Sequence, residues 1–308
     1  MAEDAADVLV AGTVAYDTVE TPFEDVQKAL GGSATYFASA ASLFTTTHVV
    51  SVVGGDFEMG ELTFLRDRGV DLSGIEVIED GETFHWSGEY HYDMNTRTTH
   101  ATDLNVLEGF DPHIPEDARD VDQVFLANVD PELQLEILDQ LEGDPFVAAD
   151  TMNFWIEGKP EALKDVLARV DALLINDEEA REMADTPHLT EAMRRIQGLG
   201  PDVVVVKKGE HGCVLANGQD WFSAPAFLHA DVNDPTGAGD AFAGGFLGTL
   251  AAADEMDDDA LRKAAVYGTA SASIVIEDFG PAQLENADRS LIEKRAKRLA
   301  SFAQFPEI

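Results

Sequence analysis

The sequence predicts an α/β fold: a central, mostly parallel sheet with helices on both faces, interrupted by one β-hairpin. Three observations carry this. Short apolar runs recur along the chain, the pattern of strands buried on both faces. Stretches with helical length and period separate them, as crossover connections require. A segment from about Val77 to Val106 breaks that alternation with aromatic and β-branched residues at period two, which reads as a hairpin.

Taken in order, Val8 to Val14 is the first central strand, and further strands are expected at Thr47 to Val53, Gln123 to Ala127, Phe146 to Ala149, Ala172 to Ile175 and Val203 to Val206. Helices are expected from Gly32 to Phe44, Pro131 to Leu141, Lys159 to Val170, Glu178 to Ala184, Thr190 to Leu199, from Asp240 to near Ala253, and from Asp288 to Phe302. Between them Glu82 to Tyr92 alternates, Asn95 offers a turn and Thr96 to Thr102 returns. The sequence shows neither an internal repeat nor a low-complexity tract, so residues 1–308 read as one domain.

At 308 residues and 45% hydrophobic, the chain can bury a substantial core. With 59 Asp plus Glu against 20 Lys plus Arg, its formal charge is −39. A nucleic-acid partner is excluded on that ground, because a phosphate backbone would be repelled and no basic stripe offsets it. The acids are spread over Glu116-Asp117, Glu178-Glu179 and Asp254 to Asp259 rather than gathered in a tail, so they form a solvated surface, and a halophilic source is expected. Lys is rarer than Arg, in agreement. The single cysteine, Cys213, excludes an internal disulfide and reads as a buried strand residue. No run of 18 apolar residues occurs, and the acidic start lacks a basic region followed by an apolar one. A cytoplasmic protein without a membrane partner is expected.

The chemistry concentrates in Asp234-Pro-Thr-Gly-Ala-Gly-Asp240. Gly237, Ala238 and Gly239 permit a tight turn, and the small, apolar run after Asp240 makes that turn a helix N-terminus. The unpaired N–H groups there favour an anion, which small side chains allow to approach closely. Asp240 has two readings: a helix cap, or the acceptor of a hydroxyl proton beside a phosphoryl donor. The paired small residues and Asp234, six positions earlier, point to the second.

This stretch resembles the second signature of the PfkB, or ribokinase-like, carbohydrate and nucleoside kinases, and the resemblance spans nearly the whole chain. It implies a ribokinase-like fold whose small β-sheet lid comprises about 17–23 and 77–106, segments that, read alone, fit an ordinary edge meander equally well, and an ATP-dependent phosphotransferase acting on a hydroxyl of a sugar or sugar-like molecule. By the same resemblance Asp240 is the catalytic base, the amides of Gly237 to Asp240 form the anion hole, and Asp234 with the Thr236 carbonyl binds potassium. Asn176-Asp-Glu-Glu179 is an N-cap with first-turn acids when read alone; it is similar to the family's Asn-x-x-Glu motif, which implies that Glu179 acts on magnesium through water.

Lys207-Lys-Gly-Glu-His-Gly212 ends a buried strand. Its lysines are either solvated strand ends or phosphate contacts; the resemblance places Gly209 and Gly212 beside ATP, although relatives often carry Thr where Lys207 stands. On the acceptor side the resemblance implies that Asp17 binds substrate hydroxyls and that Gly31, Gly32 and Ser33 let substrate lie close to backbone; taken alone, Asp17 is a turn residue. Tyr36 replaces an Asn usual in the family, exchanging a two-way amide for one hydroxyl and a ring. Asn128 and Asn153, near Asp130, Asp150 and Trp155, are expected at the crevice outside the strand ends. Thr269, on a small-residue helix, is the expected adenine neighbour. A homodimer through the lid completes the partner expectations. A nucleoside kinase with an adenosine-like acceptor and a catalytically silent sugar- or nucleotide-binding protein on the same fold are the alternatives.

Overall fold

The computed structural model describes residues 6–229 and 232–304, so both ends of the expected 1–308 domain lie outside the described residues. Its strands are β1 (Val8–Ala11), β2 (Ala15–Glu20), β3 (Asp25–Gly31), β4 (Thr47–Gly54), β5 (Asp71–Ile78), β6 (His85–Tyr90), β7 (Arg97–Asp103), β8 (Gln123–Leu126), β9 (Phe146–Ala149), β10 (Ala172–Asn176), β11 (Val203–Lys207), β12 (Cys213–Asn217) and β13 (Asp220–Ala224). Its helices are α1 (Ser33–Ala41), α2 (Thr63–Asp67), α3 (Pro131–Leu138), α4 (Asn153–Gly158), α5 (Pro160–Leu167), α6 (Asp177–Met183), α7 (Leu189–Gln197), α8 (Ala238–Ala251), α9 (Asp258–Val275), α10 (Ala282–Glu285) and α11 (Arg289–Phe302).

A 9-stranded sheet runs β13-β12-β11-β10-β9-β8-β1-β4-β5. Strands β11 to β5 pair in parallel, while β12 and β13 are antiparallel. Its inner strands are mostly apolar runs because both faces are covered, while the edge strands β5 and β13 are partly exposed and mixed in composition. Alternation divides each strand between two cores: Val8 and Val10 pack with Phe37, Phe125 and Phe246, whereas Leu9 and Ala11 pack with Ile137, Leu167 and Leu173. The parallel strands therefore all end at one edge, where Asn128, Asp150, Asn176 and Lys207 follow or close β8, β9, β10 and β11. In doubly wound sheets that edge is where ligands bind.

A second, 4-stranded sheet, β3-β2-β6-β7, is the lid. Its limits differ from the expected ones. Residues 77–78 belong to β5 and extend the main sheet, and the lid gains β3, whose Asp25-Val-Gln-Lys-Ala-Leu-Gly31 lacks the aromatic and β-branched content that marks a strand. That strand is held by its antiparallel partner β2, from Ala15↔Gly31 to Glu20↔Asp25. The first apolar run also stops at Ala11 rather than Val14, because the chain turns there into the lid. Among the described residues no helix is long and apolar enough to cross a membrane.

Candidate active site

Between the lid and the strand ends lies a cavity of about 920 Å³. Its floor is the turn before α8. Gly237 is left-handed, with φ 74°, and a Cβ there would come within 2.3 Å of the Tyr36 ring, so only glycine lets the turn lie on that ring. The Ala238 N–H donates to the Pro235 carbonyl at 3.2 Å, and the Asp240 carboxylate takes its own backbone N–H. The N–H groups of Gly237, Gly239 and Asp240 have no backbone acceptor among the described residues.

Asp240 sits in the first turn of α8. Burial and the Asp150 carboxylate push it up to about 7, against the pull of Lys207 and Arg97. Glu179 is likewise lifted to about 7 by burial and Asp150. It closes a capping box: the Asn176 N–H donates to its Oε2 at 2.9 Å, while Asn176 Oδ1 accepts from the N–H groups of Glu178 and Glu179 at 2.9 and 2.8 Å. Both the cap and its first-turn acid line the cavity. Asp17, on β2, is lifted to about 7 by burial and the charges of Asp234 and Asp240.

Lys207 balances part of this acid. Its Nζ donates to Asp150 Oδ2 at 2.8 Å and lies 3.0 Å from where a Cβ on Gly239 would stand, so the ammonium is at the anion turn. Burial works against its charge, but Asp150 and Glu179 overcome that and raise its pKa. Gly209 and Gly212 both have positive φ, 51° and 77°, and with Lys208 they line the cavity. A Cβ on Gly209 would meet Asn95 Oδ1 at 2.5 Å, so the tip of the β6–β7 hairpin rests on this turn.

Asp234 is 1% exposed; its Oδ1 accepts from the Thr236 N–H at 2.8 Å, and burial raises its pKa. It has no Lys or Arg partner among the described residues. Thr236 and Thr269 line the cavity; the Thr236 hydroxyl reaches Tyr90 Oη at 3.4 Å, and that of Thr269 donates to the Ala265 carbonyl at 2.9 Å. Gly32, Ser33, Tyr36 and Asn128 also line it. Ser33 Oγ accepts from the Thr13 N–H at 3.1 Å. The Tyr36 hydroxyl and Asn128 Oδ1 are buried without a hydrogen-bond partner among the described residues.

Two residues expected at the substrate are placed elsewhere. Asn153 begins α4 and donates to Glu182 on α6, outside the cavity lining, because the chain after Asp150 turns directly into that short helix. Gly31 lies behind the Asp17 carboxylate, which a Cβ would meet at 2.0 Å; it makes room for Asp17 rather than for substrate. Sequence reasoning missed three contributors to the site. Trp86 pairs with Asp17 across the lid and, with Phe84, Leu104, Leu107, Met152 and Phe154, gives the cavity an apolar wall. Arg97, at the start of β7, lines the cavity without an ion pair among the described residues, and its charge favours ionised Glu179 and Asp240. Asp150 was expected only in the crevice, without a role. The signal available for Arg97 was a lone cation within an otherwise acidic and neutral hairpin.

The comparisons agree with this geometry. The chain is 30% identical over 245 residues to the cytidine kinase of Thermococcus kodakarensis, covering 78% of this chain and 87% of that protein. The solved structure of the Methanocaldococcus jannaschii nucleoside kinase superposes with TM-score 0.76 at 21% identity, covering 96% of this chain and 99% of that one. Burkholderia thailandensis nucleoside kinase in complex with inosine gives TM-score 0.76 at 21% identity, covering 97% and 100%. Residues 6–287 match the model of the pfkB family carbohydrate kinases; with a glycine turn ending in a buried Asp, a capped Asn-x-x-Glu and a lid over the cavity, the chain belongs to that family of ATP-dependent sugar and nucleoside kinases.

Proposed function

We propose that the chain transfers the γ-phosphoryl group of ATP to the hydroxymethyl group of a nucleoside. The observation that carries the nucleoside reading is the apolar wall of Phe84, Trp86, Leu104, Leu107, Met152 and Phe154 beside Asp17. A free sugar is hydroxylated all round, whereas a nucleoside presents hydroxyls on one part and a flat base to stack on the other. The names of the cytidine and nucleoside kinases above support the same class. A free sugar is the second reading, favoured by Asp17 and the unpartnered Asn128 Oδ1.

In this mechanism Asp17 accepts hydrogen bonds from sugar hydroxyls and so directs the hydroxymethyl group at Asp240. Asp240, pushed up to about 7 by burial and Asp150, takes the hydroxyl proton as the oxygen attacks phosphorus and the bond to ADP breaks. The Gly237 and Gly239 amides and the Lys207 ammonium hold the charge on the moving phosphoryl group, with Arg97 added from the lid. Lid closure excludes water from the acceptor's place.

Glu179 lines the cavity with one oxygen fixed by the Asn176 N–H, a donor set that fits a magnesium ion held through water. Bound there, magnesium would neutralise part of the donor phosphates' charge. Asp234, a buried carboxylate without a cationic side-chain partner among the described residues, fits a monovalent cation such as potassium, which would offset that charge. The test is turnover with ATP and magnesium on a panel of ribonucleosides, deoxyribonucleosides, pentoses and hexoses. Transfer to cytidine or a purine nucleoside at least tenfold faster than to any free sugar is expected. Preference for a free sugar would overturn the nucleoside reading, and no transfer to any acceptor would leave a silent binding protein.

A further inference from the structure

We propose that Asp150 is a positioning residue for phosphoryl transfer, holding the Lys207 ammonium against the glycine turn and away from Asp240. The inference rests on the kinase reading above. Strand order makes it possible: β9 and β11 flank β10, so the backbones carrying Asp150 and Lys207 stand two strand spacings, about 10 Å, apart. A long, flexible lysine stem can cross that gap over the end of β10. Asp150 is pinned at both oxygens, Oδ1 by the Thr151 N–H at 2.8 Å and Oδ2 by Lys207 Nζ at 2.8 Å. The same Nζ is 3.0 Å from the Cβ position of Gly239. Of the three ammonium donors one is spent on Asp150, which leaves two for an anion on the turn.

The alternative partners explain why a holder is needed. Lys207 also feels the charges of Glu179 and Asp240. Without Asp150 its free ammonium would pair with one of them, and a pair with Asp240 would block the base and draw the cation out of the phosphate site. The charged groups facing Asp240 are Asp150, Lys207, Arg97 and Asp17. Of these, Asp150 and Lys207 act in opposite directions on the base and touch each other. Removing Asp150 alone therefore leaves the lysine's pull unopposed.

The test is a double-mutant cycle of Asp150→Asn, Lys207→Met and the double variant, read as kcat, KM for MgATP and for the acceptor, the pH profile of kcat/KM, and MgATP affinity by calorimetry. Asp150→Asn keeps the side chain's shape. It is expected to lower kcat at least about tenfold, leave acceptor KM within about twofold, and move the acid limb to lower pH. Added to Lys207→Met, it should change kcat and MgATP affinity by less than about twofold, because its role passes through the lysine. Equal losses in both backgrounds, or an unshifted acid limb, would overturn the proposal and leave an ordinary structural ion pair. Asp150→Glu keeps the charge one methylene further out, so it should lose kcat with the limb unmoved; wild-type kcat in that variant would also overturn it. If the wild type transfers phosphate to no acceptor the kinase reading fails, yet the cycle in MgATP affinity still decides whether Asp150 acts through Lys207.

Discussion

Gly237→Ala is the smallest change that tests whether the glycine turn is built on Tyr36. An added Cβ would stand 2.3, 2.3 and 2.4 Å from three ring carbons of Tyr36, whereas carbon contacts settle at about 3.5–4.0 Å. The overlap therefore exceeds about 1 Å. Tyr36 cannot yield, since it is 2% exposed and packed in the core with Phe44 and Ala241. The turn must move instead. Left-handed strain at φ 74° adds roughly 1–2 kcal/mol, and overpacking about 1–3 kcal/mol, for a loss of about 2–5 kcal/mol. Displacing the amides by about 1 Å should lower kcat about a hundredfold. The assays are calorimetric melting and steady-state turnover, in wild-type and Tyr36→Ala backgrounds. With the ring gone, only the backbone strain remains, so the added destabilisation should fall to roughly 1–2 kcal/mol. A Gly237→Ala protein with wild-type Tm and kcat, or an identical penalty in both backgrounds, would refute the reasoning.

Asp240→Asn should cut kcat by about a hundredfold or more with MgATP affinity retained, since the base is lost and the Gly237 and Gly239 amides stay; near-wild-type turnover would remove Asp240 from the mechanism. Arg97→Ala should lower kcat at least about tenfold without changing Tm, because an exposed lid cation adds little stability but meets the transferring charge; unchanged kcat would confine Arg97 to the surface. The ligand-free protein should melt higher at pH 6 than at pH 8. Asp17, Glu179 and Asp240 have folded values near 7, above their ordinary ones, so the folded state holds extra protons there and loses stability as pH rises through about 7; a rising Tm over that range would contradict it. At −39, the Tm should climb between dilute buffer and molar KCl, as the screening length drops from about 10 Å to about 3 Å; a flat or falling Tm would sink the halophilic expectation.

What was legible in the sequence follows from where the physics is local. The inner parallel strands were visible because burial on both faces leaves few polar positions, whereas the edge strand β5, partly exposed and mixed in composition, was not; α6 and α8 were visible because their caps are written at the turn itself, in Asn176 to Glu179 and Gly237 to Asp240. Strand β3 was not legible, since its register is imposed by β2 rather than by its own composition. The β12–β13 hairpin was marked by Asn217-Gly218, with Gly218 at φ 53°, a turn signal that went unread. The site divided in the same way. Residues within one turn, Gly237 to Asp240, could be assigned together, whereas Arg97 reaches the cavity from a different sheet and Asp150 finds Lys207 across an intervening strand. Asn153 was misplaced for the converse reason: nearness to Asp150 in sequence does not survive the entry into α4.

The acids of this chain fall into two populations that answer to different variables. Those on the surface set the net charge and are exposed to solvent ions, so salt weakens their repulsion. Asp17, Asp240 and Glu179 are buried, where salt does not reach and desolvation holds their pKa values near neutrality. Salt should therefore shift stability with little effect on the acid limb of the rate profile, whereas a change of pH through about 7 should alter both stability and rate. Lys207 and Arg97 offset only part of the burial and carboxylate charge acting on Asp240, so its pKa stays near neutrality.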